Sequence, residues 1–245
     1  MKKSNSILFT VGVHGDEQLP VKVVKSKLKQ SEYLICNKKA LQNNIRFIKS
    51  DLNRSFPGNI NGVFEEKLPI KLLPHIKNNF VIDIHTARCK TDPFIILTKV
   101  SSKHFYLIKK TGLNKIVIMS QKFGAGKSLI DFAKTGISIE SGSEKSRKTI
   151  KIISQIIDSI KNKKYYHQKL DIYKVFDILQ KSNPKEFLNK NICSFKLVKS
   201  NSQVTNLGRK INFDFYPILA RSKNYPNFLC LMAKKINYQK LNVKL

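Results

Sequence analysis

Short apolar runs alternate with longer amphipathic segments along the chain up to about residue 165. The runs are rich in isoleucine, valine and phenylalanine, which is typical of buried strands. They occupy residues 6–10, 32–36, 80–86, 94–98, 115–119 and 136–140. Helical spacing of apolar residues is clearest in the last intervening segment, at Ile150, Ile153, Ile156, Ile157 and Ile160. This alternation predicts an α/β fold with a mixed central sheet flanked by helices.

The pattern changes beyond this point. Apolar runs at residues 170–179, 192–198, 215–220 and 228–233 follow one another without helical segments between them. We therefore predict two domains. The first is an α/β domain over residues 1–165, which would carry the chemistry, and the second is a small β-rich C-terminal domain over residues 166–245.

Two of the apolar runs end in residues that commonly bind metal ions. His14 and Glu17 lie in the loop after the first run, and His85 lies at the end of the third. An open α/β sheet places its chemistry at the carboxyl ends of strands. Two histidines and one glutamate are a ligand set of catalytic zinc, with a fourth position for water, so the sequence predicts one zinc ion per chain. Asp83, two residues before His85, either supports that ligand from behind or is structural.

The composition permits a folded core but carries a large positive charge. Hydrophobic residues make up 41% of the 245 residues, and the formal net charge is +30. A charge of this sign attracts nucleic acids and other polyanions. However, only six of the 46 basic residues are arginines, the lysines are scattered, and the sequence contains no nucleic-acid-binding motif. A basic nucleic-acid- or polyanion-binding protein stays open as an alternative, although codon drift in an AT-rich genome produces the same excess of lysine.

Nothing in the sequence favours a membrane or secreted protein. No stretch approaches the roughly 20 apolar residues of a membrane span, and the run after Met1 has no signal-peptide cleavage site. The four cysteines lack the regular spacing of a disulfide framework. We therefore expect a cytoplasmic protein without membrane partners, and a homo-oligomer is compatible with the sequence.

Four motifs resemble, in the same order, those of the aspartoacylase/succinylglutamate desuccinylase family. They are HGDE at residues 14–17, DLNRSFPG at 51–58, DIHT at 83–86 and ISIESG at 137–142. A later YPIL at 216–219, followed by Tyr225, is similar to the C-terminal β domain of that family. The resemblance covers essentially the whole chain and implies a zinc-carboxypeptidase-like fold.

The resemblance also implies an activity, the hydrolysis of the amide bond in a small N-acyl amino acid. The three ligands predicted above would hold the zinc ion, and Glu140 would act as the general base. Arg46, seven residues before Asn53, would polarise the scissile carbonyl group. The α-carboxylate of the substrate would be bound by Asn53, Arg54 and Tyr225.

One position departs from the family pattern. Aspartoacylases carry an arginine about ten residues before the catalytic glutamate, where it binds the side-chain carboxylate of the substrate, and this chain has Ile130 there. Either a lysine such as Lys127 replaces the arginine, or the substrate is not N-acetylaspartate. The resemblance therefore does not fix the substrate, and a carboxypeptidase-like enzyme that cuts peptides or cell-wall fragments is a further alternative.

Overall fold

The computed structural model describes residues 6–120, 126–223, 226–237 and 239. Within these residues the strands are β1 Ile7–Val11, β2 Tyr33–Ile35, β3 Phe80–Ala87, β4 Phe94–Leu97, β5 Lys115–Ile118, β6 Thr135–Ser143, β7 Asp171–Gln180, β8 Tyr216–Ile218 and β9 Phe228–Ile236. The α-helices are α1 Gln18–Lys27, α2 Lys38–Gln42, α3 Phe64–Ile76, α4 Ser102–Thr111 and α5 Arg147–Lys161. Short 3-10 helices cover Gln30–Glu32, Leu52–Arg54 and Leu129–Phe132. No helix in these parts of the chain is long and apolar enough to cross a membrane.

All these strands belong to one mixed sheet, in the order β2-β1-β3-β6-β4-β5-β7-β9-β8. Strands β2, β1, β3 and β6 run parallel, so their carboxyl ends meet at one edge. Strand β4 then runs antiparallel to β6, and β5 and β7 follow the direction of β4. The predicted fold class is confirmed, with the C-terminal strands joining the central sheet rather than forming a sheet of their own.

Helices cover both faces of the parallel half of the sheet. Side chains of α1, α4 and α5 pack with Ile82 and Ile84 of β3 in one cluster. Leu72 and Ile76 of α3 pack with Val81, which alternates to the opposite face, in another. In the isoleucine stripe of α5, Ile153, Ile156 and Ile157 are buried and Ile160 is partly buried. The prediction that Ile150 belongs to the stripe is wrong, because its side chain is 40% exposed.

The apolar run at residues 192–198 does not form the predicted strand. Only Val198 makes an isolated bridge, with Phe215. Ile192 and Val198 are nevertheless buried, in a cluster with Leu179 of β7 and Met232 of β9. The run is therefore an irregular segment whose apolar side chains anchor it to the sheet. The domain boundary after residue 165 stays a prediction.

A buried carboxylate holds the irregular segment between α2 and α3. Glu65, in the first turn of α3, is fully buried and accepts hydrogen bonds from the backbone amides of Ile48, Lys49 and Ser50. The side-chain amide of Asn37 donates a fourth bond, at 3.2 Å. Burial alone would raise the pKa of Glu65, but the hydrogen bonds lower it below its ordinary value of 4.5.

We expect Glu65→Gln to lower the free energy of unfolding by about 2 kcal/mol at pH 7, because a neutral amide replaces a charged acceptor of several buried donors. Since the pKa is lowered on folding, the stabilisation is complete above the unfolded value of 4.5 and is lost as pH falls through the folded value. The gap between wild type and variant should therefore narrow on acidification. Urea unfolding at several pH values measures this gap.

Asp158→Asn is the control for this variant, because Asp158 is an exposed acid paired with Lys27. It should change the free energy of unfolding by less than about 1 kcal/mol. A gap between wild type and Glu65→Gln that does not depend on pH would contradict the role assigned to the carboxylate.

Candidate active site

The three predicted metal ligands meet at the edge where the parallel strands end. The Glu17 carboxylate lies between two imidazole rings, with Oε1 at 2.8 Å from Nδ1 of His14 and Oε2 at 3.0 Å from Nδ1 of His85. One ligand atom from each residue lies within 4.8 Å of the others, and all three side chains are buried. The arrangement can hold a metal ion.

A glycine brings the neighbouring segment against this loop. A Cβ atom at Gly15 would overlap the backbone of Ala40 in α2 and lie 2.5 Å from the carbonyl oxygen of Ile45, so only glycine fits. The amide of Gly15 also donates a hydrogen bond to the carbonyl oxygen of Arg46 at 3.1 Å. The HGDE loop and the chain that carries Arg46 are therefore fixed to each other.

A second layer of carboxylates orients both imidazoles. Nε2 of His14 lies 3.1 Å from Oδ1 of Asp51, and Nε2 of His85 lies 2.7 Å from Oδ2 of Asp83. The hydroxyl of Thr10 donates to the other oxygen of Asp83 at 2.7 Å. A proton held at each Nε2 leaves Nδ1 as the metal-binding nitrogen.

The sequence predicts these two aspartates to different extents. It leaves Asp83 between a supporting and a structural role, and the contact with Nε2 of His85 favours the supporting role. Asp51 lies in the DLNRSFPG motif, and the sequence assigns no role to it. It is 37 residues from His14 in the chain and follows the irregular segment after α2, so no spacing rule connects the two.

The charged groups of the cluster shift one another's pKa values. Burial alone would raise the pKa of Glu17 and lower the pKa of His85. The positive charges of His85 and His14 nevertheless lower the pKa of Glu17, and Asp83 and Glu17 raise the pKa of His85 well above its ordinary value. Glu17 is therefore anionic at neutral pH, and a metal ion that binds here would displace the proton between Glu17 and each Nδ1 atom.

Glu140 lies beside this cluster but differs from Glu17 in its hydrogen bonds and in the direction of its pKa shift. It is the register partner of His85 across β3 and β6, and its Oε2 atom is buried without a hydrogen bond from any described residue. Burial raises the pKa of Glu140 to about 7, and the Glu17 carboxylate adds to this against the opposing charge of His85. A carboxylate with these properties can take up and release a proton near neutral pH.

Arg46, Asn53 and Arg54 line a cavity of about 570 Å³ together with His14, His85 and Glu140. Arg46 is mostly buried, with Nη2 at 3.4 Å from Oδ2 of Asp51. Asn53 accepts a hydrogen bond from the amide of Leu129 at 3.0 Å, and Arg54 is exposed at the rim. Tyr225 lies outside the described residues.

The structure also locates Ile130, which stands where aspartoacylases carry an arginine, and Lys127, the lysine considered as its replacement. The side chain of Ile130 lines the cavity, in the 3-10 helix Leu129–Phe132. Lys127 is exposed and is not among the residues that line the cavity. A role for Lys127 in place of the missing arginine stays a prediction.

Asp83→Asn should weaken metal binding by about 10- to 100-fold, because an amide holds the His85 ring less firmly and makes it a poorer ligand. Competition against a chromophoric chelator measures this. Asp92→Asn removes the same charge from an exposed residue paired with Lys115 and should leave metal affinity unchanged. Equal affinities for wild type and Asp83→Asn would show that Asp83 is structural.

Several solved structures share this fold. Murine aminoacylase 3 superimposes with a TM-score of 0.76 at 16% identity, over 94% of this chain and 95% of that chain. The succinylglutamate desuccinylase from Chromobacterium violaceum gives 0.71 at 16% identity, over 96% and 86%. The product-bound ectoine utilization protein EutE (DoeB) from Ruegeria pomeroyi gives 0.69 at 15% identity, over 94% and 85%. At these identities the similarity shows the fold alone.

Similarity in sequence, unlike similarity in fold, identifies the family. No curated protein matches it significantly. Residues 3–162, however, match the family described as the succinylglutamate desuccinylase/aspartoacylase catalytic domain. This range covers well over half of the chain and contains the three candidate ligands, Glu140 and all four motifs. The resemblance is confirmed, and the chain belongs to the succinylglutamate desuccinylase/aspartoacylase family of deacylases.

Proposed function

We propose that this protein is a zinc-dependent deacylase that hydrolyses the amide bond of a small N-acyl amino acid. The observation that carries the proposal is the buried His14, Glu17 and His85 cluster beside Glu140, a carboxylate with a buried oxygen that no described residue contacts by a hydrogen bond. Family membership supports a hydrolase. The names of the similar structures, aminoacylase and succinylglutamate desuccinylase, point to the same class of substrate.

Zinc fits the donor set. Its common protein ligands are imidazole nitrogens and carboxylate oxygens, and three protein ligands are usual where the metal is catalytic. Zinc bound by His14, Glu17 and His85 would supply a lowered pKa for water and a polarised substrate carbonyl. The carboxylates of Asp51 and Asp83 keep both rings turned toward that position.

Glu140 performs the proton transfers in this proposal. It accepts a proton from the attacking water molecule and then donates it to the nitrogen of the departing amino acid. A pKa of about 7 suits both steps, since the carboxylate must be ionised in the first and protonated in the second.

Arg46 stabilises the negative charge that develops on the carbonyl oxygen. A fixed cation placed where charge appears in the transition state lowers the barrier without reorganising at that moment. Asp51 fixes this cation, because one of its oxygens contacts Arg46 while the other contacts His14. The metal site and the oxyanion site therefore share one positioning residue.

Asn53 and Arg54 bind the α-carboxylate of the substrate. The bond from the amide of Leu129 to Oδ1 of Asn53 fixes that side chain and leaves its Nδ2 group as the donor. Arg54 at the rim offers the planar fork of donors that matches a carboxylate. Tyr225 is assigned to the same carboxylate by the family resemblance.

Elemental analysis should find about one zinc ion per chain in the purified wild type and none in His85→Ala, which removes a ligand. Glu140→Gln should keep its zinc yet lose about 10²- to 10⁴-fold in kcat, because the proton acceptor is gone. A metal-free, fully folded wild type would overturn the zinc centre. Full activity in Glu140→Gln would overturn the assigned base.

Arg54→Lys should raise KM about tenfold with little change in kcat, because a lysine cannot bind the α-carboxylate with two parallel hydrogen bonds. Steady-state kinetics on N-acyl amino acids gives both constants. Arg88→Lys is the control, since Arg88 is also exposed but pairs with Asp16 and does not line the cavity. An unchanged KM in Arg54→Lys would remove Arg54 from the carboxylate site.

A further inference from the structure

The geometry of the cavity points to a substrate whose amino acid carries an apolar side chain, such as leucine, methionine or phenylalanine, rather than an acidic one. This inference rests on the proposed deacylase function and adds the class of amino acid. It comes from the part of the cavity that lies beyond Glu140, away from the metal ligands.

That part of the cavity, which we name the apolar half, is built by the strands beyond β6. Ile96 of β4 is the register partner of Ser138, which shares a face of β6 with Glu140. Ile178 of β7 and Leu231 of β9 are partners further along the sheet. The apolar residues that line this half are Ile96, Met119, Ile178, Leu219, Phe228 and Leu231.

The ionisable residues that line the cavity are confined to its other half. Among the described lining residues these are His14, His85, Asp51, Glu140, Arg46 and Arg54. None is a lysine, although the chain holds 46 basic residues. The polar residues Thr98, Gln180, Ser222 and Asn227 also line the cavity, but they carry no charge. A side-chain carboxylate placed in the apolar half would therefore lose hydration without gaining a counter-ion among the described lining residues, which is unfavourable.

Ile130 supports the placement of the amino acid side chain, rather than the acyl group, in the apolar half. It lines the cavity from the 3-10 helix whose Leu129 amide is hydrogen-bonded to Asn53. Ile130 packs in a different cluster from the apolar half, but it puts an apolar side chain beside the proposed α-carboxylate site. With the carboxylate at Asn53 and the scissile carbonyl group at Arg46, the acyl group would occupy the side of the candidate metal ligands, and the amino acid side chain would be left for the apolar half.

The space available agrees with this placement. The whole cavity measures about 570 Å³, which lies within the roughly 300–1,000 Å³ range of sites for small organic ligands. A large apolar side chain can therefore be accommodated together with the acyl group. Its burial against isoleucine, leucine and phenylalanine removes apolar area from water, which favours binding.

Hydrolysis of a matched substrate panel by the zinc-loaded wild type tests this inference. The panel is N-acetylleucine, N-acetylalanine, N-acetylaspartate and N-hexanoylaspartate. We expect kcat/KM for N-acetylleucine to exceed that for N-acetylalanine by at least about tenfold and that for N-acetylaspartate by at least about a hundredfold. A higher kcat/KM for N-acetylaspartate than for N-acetylleucine would overturn the inference. A higher kcat/KM for N-hexanoylaspartate than for N-acetylleucine would also overturn it, because the apolar half would then receive the acyl group.

Binding to Glu140→Gln separates the inference from the proposed function. Calorimetry with this zinc-loaded variant measures affinity for N-acetylleucine and N-acetylaspartate without turnover. If the wild type hydrolyses neither compound but the variant binds N-acetylleucine more tightly, the deacylase is overturned and the apolar half stands. If the variant binds N-acetylaspartate more tightly or binds neither compound, the apolar half is overturned.

Ile130→Arg should shift the ratio of kcat/KM values toward N-acetylaspartate by at least about tenfold, because it places a cation at the wall. Ile150→Arg is the matched control on the exposed face of α5 and should leave the ratio unchanged. Ile130 is buried, so Ile178→Arg, at a half-exposed wall position, provides the same test if the first variant fails to fold. An unchanged ratio in folded variants would contradict the inference.

Discussion

Four carboxylates gathered around two imidazole rings are the constraint on which the rest of the site depends. The chain has sixteen acidic residues, and Glu17, Asp51, Asp83 and Glu140 all lie here. A buried charge is tolerated only when it is paired, and the first three are paired with histidine. Glu140 has no such partner among the described residues, so its proton is held more tightly. The same burial therefore produces fixed anions that hold ligands and one carboxylate that exchanges a proton.

The irregular segment between α2 and α3 serves this cluster although it has no regular structure. Its backbone is held at one point by the amide of Gly15 and at three successive amides by Glu65. These contacts place Arg46 and Asp51 against the HGDE loop. Hydrogen bonds to buried groups thus give a loop the fixed geometry that a strand receives from its ladder, as is common where loops carry function.

The sequence predicted those parts of the site that follow from strand ends. His14, Glu17, His85 and Glu140 each lie at or just after an apolar run, and parallel strands bring such positions to one edge. The contact between Asp51 and His14 is not predicted, because Asp51 lies in the irregular segment after α2, whose path no spacing rule gives. Periodicity of apolar residues wrongly predicted a buried Ile150 and a strand at residues 192–198. Tertiary packing, rather than local spacing, decides burial and strand formation at these positions. The apolar half of the cavity requires that β4 runs antiparallel to β6 and that β7, β9 and β8 follow in that order. No local sequence pattern encodes this direction or this order.

The order of the strands brings residues from outside the family-matched range to the cavity. Every candidate metal ligand and Glu140 lie within residues 3–162, the range that matches the family. Ile178, Phe228 and Leu231 lie beyond that range, on strands that add to the far side of the sheet. On the proposed function, substitutions in β7 and β9 would therefore change which molecule is accepted without touching the candidate metal ligands or Glu140. Family membership, for this architecture, reports the type of reaction and leaves the choice of substrate free to diverge.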